Sequence, residues 1–250
     1  MKWSNIKNIM VGFLIIMNLF MLAIIAVTTM QQSFIPERVV NAAISVLRES
    51  GFEIEDDTFP SSYYTLPSYN AQFYSASDLS ELFFGKQVAF RTEENSLVAV
   101  EGAAVLTVND NHFYYESGRT ASETKSSSVL RRAVKKLGID MKGAVYDEKT
   151  GYFYRMYNDT NLFNMSLEVK LDNDGEICFI KALWPKKLTT GERRKISFVE
   201  STMKLKEEFP DGGKIKNIEL GYSLRSVGGE KFYFTPAWRV KVNNELKILE

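Results

Sequence analysis

One cysteine and one histidine in 250 residues remove several chemistries at once. A single thiol, Cys178, cannot form an internal disulfide, so the fold must rest on an apolar core rather than on covalent staples. A Ser–His or Cys–His nucleophile needs an imidazole as base. The sole histidine, His112, sits in "NDNHFYYE", where a turn leading into a strand accounts for it. Cys178 alternates with Ile177 and Phe179 in an apolar run and reads as a small hydrophobe. Zinc would lack its usual ligands. No G-x-S-x-G elbow is present, and no glycine-rich turn follows a strand and opens a helix to cradle phosphate. The chain reads as a non-enzyme with no cofactor.

An excess of either charge is also lacking. Basic and acidic residues number 31 each, so no concentrated basic face marks a nucleic-acid partner. The acids are scattered, and "EIEDD" and "KEE" read as solvated charge. "DNDGE" at residues 172–176 has the outline of a calcium loop but not its alternating ligands or distal glutamate. Flanked by "LEVKL" and "ICFIKAL", it is a hairpin turn.

What the chain does have is one long hydrophobic run. Residues 9–27 carry no charge and one strongly polar side chain, Asn18. As a helix they span about 28 Å at 1.5 Å per residue, close to the roughly 30 Å hydrocarbon core of a bilayer. A secretory signal has a shorter apolar core and small residues spaced for cleavage, whereas Ala23 and Ala26 are three apart. The run therefore reads as a retained anchor. Lys2 and Lys7 precede it and "TTMQQSF" follows without charge, so residues 1–8 face the cytoplasm and the rest lies outside. The expected location is the cell membrane, single-pass, with an extracytoplasmic body.

That body, at 45% hydrophobic and 13% aromatic residues over the whole chain, should fold rather than stay disordered. "FIPERVVNAAISVLRESGFEI" predicts a helix entered at Pro36 and left at Gly51, with a stripe of Val39, Val40, Ala43, Ile44 and Leu47. "SASDLSELFFGK" predicts a short helix capped through Asp78 and Glu81. The strands "QVAFRT", "LVAVEG", "AVLTV" and "HFYYES" follow. "TASETKSSSVLRRAVKKLGI" opens a second cycle, capped through Thr120 and Glu123, with Val129, Leu130, Ala133, Val134 and Leu137 as its stripe. The two stripes correspond at a constant offset of 90 (Val39 to Val129, Leu47 to Leu137). A third cycle begins at "LTTGERRKISFVESTMKLKEEF", capped through Thr189 and Glu192, and ends in "KFYFTPAWRVKV" and "ELKILE". The fold class is α+β: an N-terminal transmembrane helix, then a body of helix-plus-antiparallel-meander units. The expected division is 1–8, 9–27, a first subdomain at 31–117 and a second at 118–250, the latter divisible at 118–185 and 189–250.

The opening, "KWSNIKNI" followed by "FLIIMNLFML", resembles the YycI-type regulatory proteins of Gram-positive bacteria and their YycH-type relatives. Trp3, Ser4, Lys7, Phe13, Leu14, Asn18, Leu19 and Phe20 carry the likeness, and "FTPAWRV" near the end adds to it. The resemblance implies two external α+β subdomains and association with the YycG/WalK sensor histidine kinase and a YycH-type sister protein, with coupling through membrane helices. It implies a non-enzymatic regulator of a two-component system controlling cell-wall metabolism. In hydrocarbon the Asn18 side chain would seek a partner: either it is tolerated against its own backbone or lipid, or Val11, Asn18 and Ile25 at seven-residue spacing make a candidate contact seam with another membrane helix. A second candidate surface is the tyrosine-rich stretch "SSYYTLPSYNAQFYS", with Tyr63, Tyr64, Tyr69, Phe73 and Tyr74. Such a surface would suit a tethered binding module for peptides or wall fragments, while core packing would use the same residues.

Overall fold

The computed structural model describes residues 10–11, 13–24, 34–122, 126–228 and 231–250. Residues 10–11 and 13–24 are helical and form what is described of α1. The chain continues through α2 (Glu37–Glu49), β1 (Phe52–Glu53), β2 (Tyr64–Gln72), α3 (Ala76–Phe84), β3 (Arg91–Glu93), β4 (Ser96–Glu101), β5 (Ala104–Val108) and β6 (Phe113–Glu116). Then come α4 (Ser127–Leu137), β7 (Ala144–Asp147), β8 (Tyr152–Tyr157), β9 (Thr160–Leu171), β10 (Ile177–Leu183) and β11 (Lys187–Ile196). The last elements are α5 (Phe198–Glu208), β12 (Gly213–Val227), β13 (Lys231–Val242) and β14 (Glu245–Leu249). This is the α+β class the sequence predicts, with a large and mostly antiparallel sheet. Among the described residues no helix is long and apolar enough to cross a membrane; the expected span at 9–27 includes Ile9, Gly12 and residues 25–27, which lie outside them.

Three helix starts depart from expectation. Thr189 and Glu192 lie in strand β11, paired with β2. The helix that follows is instead capped by Ser197, whose hydroxyl accepts from Glu200 N while the Glu200 carboxylate accepts from Ser197 N. β-Branched Thr189 and Thr190 favour the strand, and the capping pattern recurs eight residues later where a helix can begin. In α3 the same reciprocal bonds join Ser75 and Asp78 rather than Asp78 and Glu81. α4 begins at Ser127 with Ser126 as its N-cap, downstream of Thr120, and Glu123, the other half of the expected cap, lies outside the described residues. "QVAFRT" contributes a strand only from Arg91 onward.

The chain divides into two compact units that are interleaved in sequence. Unit 1 takes Met1–Thr65, Lys195–Ile218 and Val240–Lys247; unit 2 takes Leu66–Arg194, Glu219–Arg239 and Ile248–Glu250. These boundaries fall inside strands, at other places than the successive division at 117/118.

In unit 1, α2 packs on α5. Val40, Ala43, Ile44 and Leu47 of the expected stripe are buried and Val39 is exposed; Phe198 and Leu205 of α5 are buried too, and Phe59 meets Phe198 edge-on at 5.2 Å. Each fully buried Leu or Phe contributes about 1.5–3 kcal/mol. α2 ends at Gly51 in the left-handed region (φ +84°), which lets β1 pair in parallel with β12, Phe52 opposite Gly213. Gly212 lies against the Gly51 carbonyl so closely that a Cβ would collide with it.

In unit 2 the strand order is β11-β2-β13-β12-β9-β10-β6-β5-β4-β3, with β7–β8 joined beside β9. α3 contacts β4 and α4 contacts β9. Leu79 from α3 and Leu130 and Val134 from α4 are buried in one core with Leu106, Leu167 and Ile180 from the sheet. Trp184 closes the core and donates its indole N–H to the Asp140 carbonyl at 2.8 Å. The offset-90 correspondence extends to buried positions, Val40 with Leu130 and Ile44 with Val134. The stripes have different supports, a helix for α2 and a strand for α4.

Candidate functional site

Catalysis needs titratable groups poised together, and the few candidates here are spent structurally. His112 lies where its pair of strands turns, held neutral further into the acid range by burial and by nearby Lys181. Cys178 is buried, its thiol pushed up chiefly by burial and donating to the Lys170 carbonyl at 3.4 Å. Among the described residues no group of His, Cys, Asp or Glu could hold a metal ion. Asp172, first of the "DNDGE" turn, accepts from Glu176 N and from Arg119, as a hairpin anchor does.

Binding surfaces are better provided. A cleft of about 570 Å³ opens in unit 2 between α3, α4 and the ends of β4, β6 and β10. Its floor is the pair Phe83 and Tyr115, stacked with ring centroids 4.3 Å apart. Ala103, Ala104 and Ala133 keep it open, since none carries a side chain long enough to fill it. The rim is charged, and the charges are matched: Arg119 to Asp172 at 2.8 Å, Lys136 to Glu176 at 3.1 Å, Lys86 to Glu101 at 2.6 Å. The Arg119 guanidinium, with the Glu176 backbone N–H, holds the Asp172 carboxyl below the usual carboxylate range. Burial pushes the Tyr115 phenol up. An apolar floor inside a polar rim is the make-up of a protein contact surface.

A second cleft, about 350 Å³, is lined by Tyr74, Asp78, Asp140 and Lys186. Beneath it Arg155, 4% exposed, donates to Asp140 at 2.8 Å and to the Pro185 carbonyl at 3.1 Å, with its guanidinium 5.2 Å from the Trp184 ring centroid. Burial lowers the Arg155 pKa from its ordinary value, opposed by Asp140. An arginine rather than a lysine suits this position because one planar group bonds two acceptors and stacks on an aromatic face.

The tyrosine-rich stretch does not present one surface. Tyr69 is 1% exposed, packed against Tyr157 and Tyr222 and accepting from Asn158 Nδ2 at 3.3 Å. Tyr74 is buried against Phe113, and Phe73 is half-buried against Phe232. These three belong to unit 2, where β2 pairs with β13 and turns their rings into the core. Tyr63 and Tyr64 belong to unit 1 and keep surface, Tyr63 with the Lys195 ammonium 4.1 Å from its ring centroid. On α1, Val11 and Asn18 are exposed, and Asn18 Nδ2 donates to the Leu14 carbonyl at 2.9 Å. Ile25 lies outside the described residues.

Sequence reading passes over Phe83, Tyr115, Arg119 and Lys136. They come from three separate stretches, and each looks like an ordinary helix, strand or turn residue where it stands. The signal that could have found them is the pairing of "HFYYES" with "AVLTV", which lines Tyr115 up opposite Leu106 and turns it toward the helices.

A family model described as "YycI protein" matches residues 47–249. The match contains Phe234–Val240 but not the segment from Trp3 to Phe20 where the sequence likeness is strongest. Among solved structures, an uncharacterized protein from Eubacterium rectale aligns over 77% of this chain and 84% of its own, at 12% identity and a TM-score of 0.43. No curated protein matches the chain.

Proposed function

Because the chain belongs to the YycI protein family, a regulatory, non-catalytic and membrane-associated family with a role in the YycG regulatory system, we propose that it regulates a two-component sensor histidine kinase by contact rather than by chemistry. The partners are the YycG/WalK-type kinase and a YycH-type sister protein. The apolar run at 9–27 is the anchor, with the N-terminus cytoplasmic and the body outside. Regulation requires that the contacts differ between two kinase conformations, because a partner indifferent to state shifts no equilibrium.

The single observation that carries this reading is the family match across 47–249, nearly the whole of the proposed external body. The membrane contact is assigned to Val11, Asn18 and Ile25. Asn18 bonds its own helix through one N–H and retains an amide oxygen and a second N–H for a neighbouring helix, a bond worth about 0.6–2 kcal/mol in a membrane. Tyr63 and Tyr64 are the part of the aromatic stretch suited to an external contact.

The test has two arms. Purification of the tagged full chain from membranes in mild detergent should recover a sensor histidine kinase; its absence counts against the reading. Replacing residues 1–30 with an unrelated anchor should then weaken control of kinase output. Full control with the foreign anchor would move the regulatory contact to the body and remove the role given to Asn18.

A further inference from the structure

Strands β8 and β9 do not pair evenly. Phe153 lies opposite Leu167 and Arg155 opposite Leu162, so two steps along β8 correspond to five along β9. The surplus residues form a bulge, with exposed Asn164 in the left-handed region at φ +62°, a conformation that asparagine tolerates better than most side chains. Bulges of this kind re-aim side chains and cluster at functional sites.

Here the bulge borders a cleft of about 340 Å³, lined among others by Tyr154, Asn164, Ser166 and Arg239. A neighbouring cleft of about 270 Å³ is lined by Tyr146, Glu168 and Lys170 among others. Thr150 and Tyr152 line both. Tyr152, 41% exposed, therefore stands between two hollows that lie entirely within unit 2.

The charges around these hollows are already engaged. Arg239 bonds Glu219 and lies 4.5 Å over the Phe163 ring. Lys170 pairs with Glu168 at 3.2 Å. Asp147 caps its own turn, accepting from Lys149 N at 2.9 Å and Thr150 Oγ1 at 3.0 Å. An ionic ligand would have to compete with these pairs for the same charges. What stays on offer is an aromatic face, the Asn164 amide and the Ser166 hydroxyl. In the wall, Asn161 gives its N–H to Glu219, which fixes the side chain there.

We propose that this double cleft binds a neutral saccharide, with one sugar ring in each hollow and the apolar C–H face of a ring against Tyr152. A sugar is the ligand class that presents both a C–H face and dense hydroxyls without charge. The site stands apart from the regulatory reading and survives if that reading fails.

The test uses the full chain in a detergent without a sugar headgroup. Tetrasaccharides of the cello-, malto- and N-acetylchito-series are titrated by saturation-transfer NMR and calorimetry, with a neutral tetrapeptide as comparison. Saturable binding of at least one saccharide is expected, weakened tenfold or more by Tyr152→Ala. Asn164→Gly, which keeps the left-handed backbone and removes the amide, should weaken it severalfold with an unchanged melting temperature. No saccharide binding up to millimolar concentration overturns the proposal. So does binding unaffected by both variants, or a peptide that binds in a Tyr152-dependent way where no saccharide does.

Discussion

Asp172 holds a hairpin turn by accepting from the Glu176 backbone and binds Arg119 with its other oxygen. Both favour the carboxylate, and Arg119 is the larger influence on its lowered pKa. Asp147 is also lowered, first by the Lys149 backbone N–H. At Asp78 burial acts upward, yet bonds from Lys186 and Ser75 leave the group low. A carboxyl lowered on folding stabilises the fold fully above its unfolded pKa, about 3.9 for aspartate. That stabilisation is lost as pH falls through the lower folded value. Asp172→Asn should therefore melt below the parent at pH 6, and the gap should narrow below about pH 4. Thermal melts of parent and variant between pH 2 and 7 check this. A gap constant across that range would mean that Asp172 acts through shape and not through charge.

At the scale of elements, helices and hairpins were legible wherever their cause is local. The stripe of α2, the exits at Gly51 and Gly138, and the turn at Gly175 all follow from neighbouring residues. β11 was not, because its pairing with β2 joins stretches more than a hundred residues apart, as in the Ser68 to Glu192 bond. Its T-x-x-E pattern reads equally well as a helix start. The 570 Å³ cleft was hidden for the same reason, since Phe83, Tyr115 and Lys136 meet only once the sheet exists. The two capping readings separate by mutation. Ser75→Ala removes a side-chain oxygen that accepts from Asp78 N at 3.1 Å and should destabilise by about 1 kcal/mol. Thr189→Ala, exposed in β11, should cost less than about 0.5 kcal/mol. Urea denaturation of both variants decides it; a cost at Thr189 matching that at Ser75 would argue for a helical cap there after all.

For the whole molecule, α1 differs from the remaining chain in the apolar surface that its described residues leave exposed. Met10, Phe13, Leu14, Ile16, Leu19, Phe20 and Leu22 are all more than half exposed, and they occupy every face of the helix. A helix apolar all round needs lipid or protein about it, and an uncovered patch of this size marks an interaction surface. Among the described residues none of the buried core comes from it, and the first core residue is Ile35, whose N–H donates to the Ser61 carbonyl at 3.0 Å. Among the described residues, every buried side chain lies from Phe34 onward, where the bridge to Ser62 starts, and those of α1 present exposed apolar surface. Residues 34–250 should therefore be water-soluble without detergent, with melting midpoints within about 2 °C of the full chain, since a loss of 1 kcal/mol would shift them by about 2–4 °C. Circular dichroism melts of the two forms make the comparison. A midpoint lowered by more than about 4 °C would mean that the first thirty-three residues contribute to the folded body, and the division of labour between an anchoring helix and a self-sufficient body would fail.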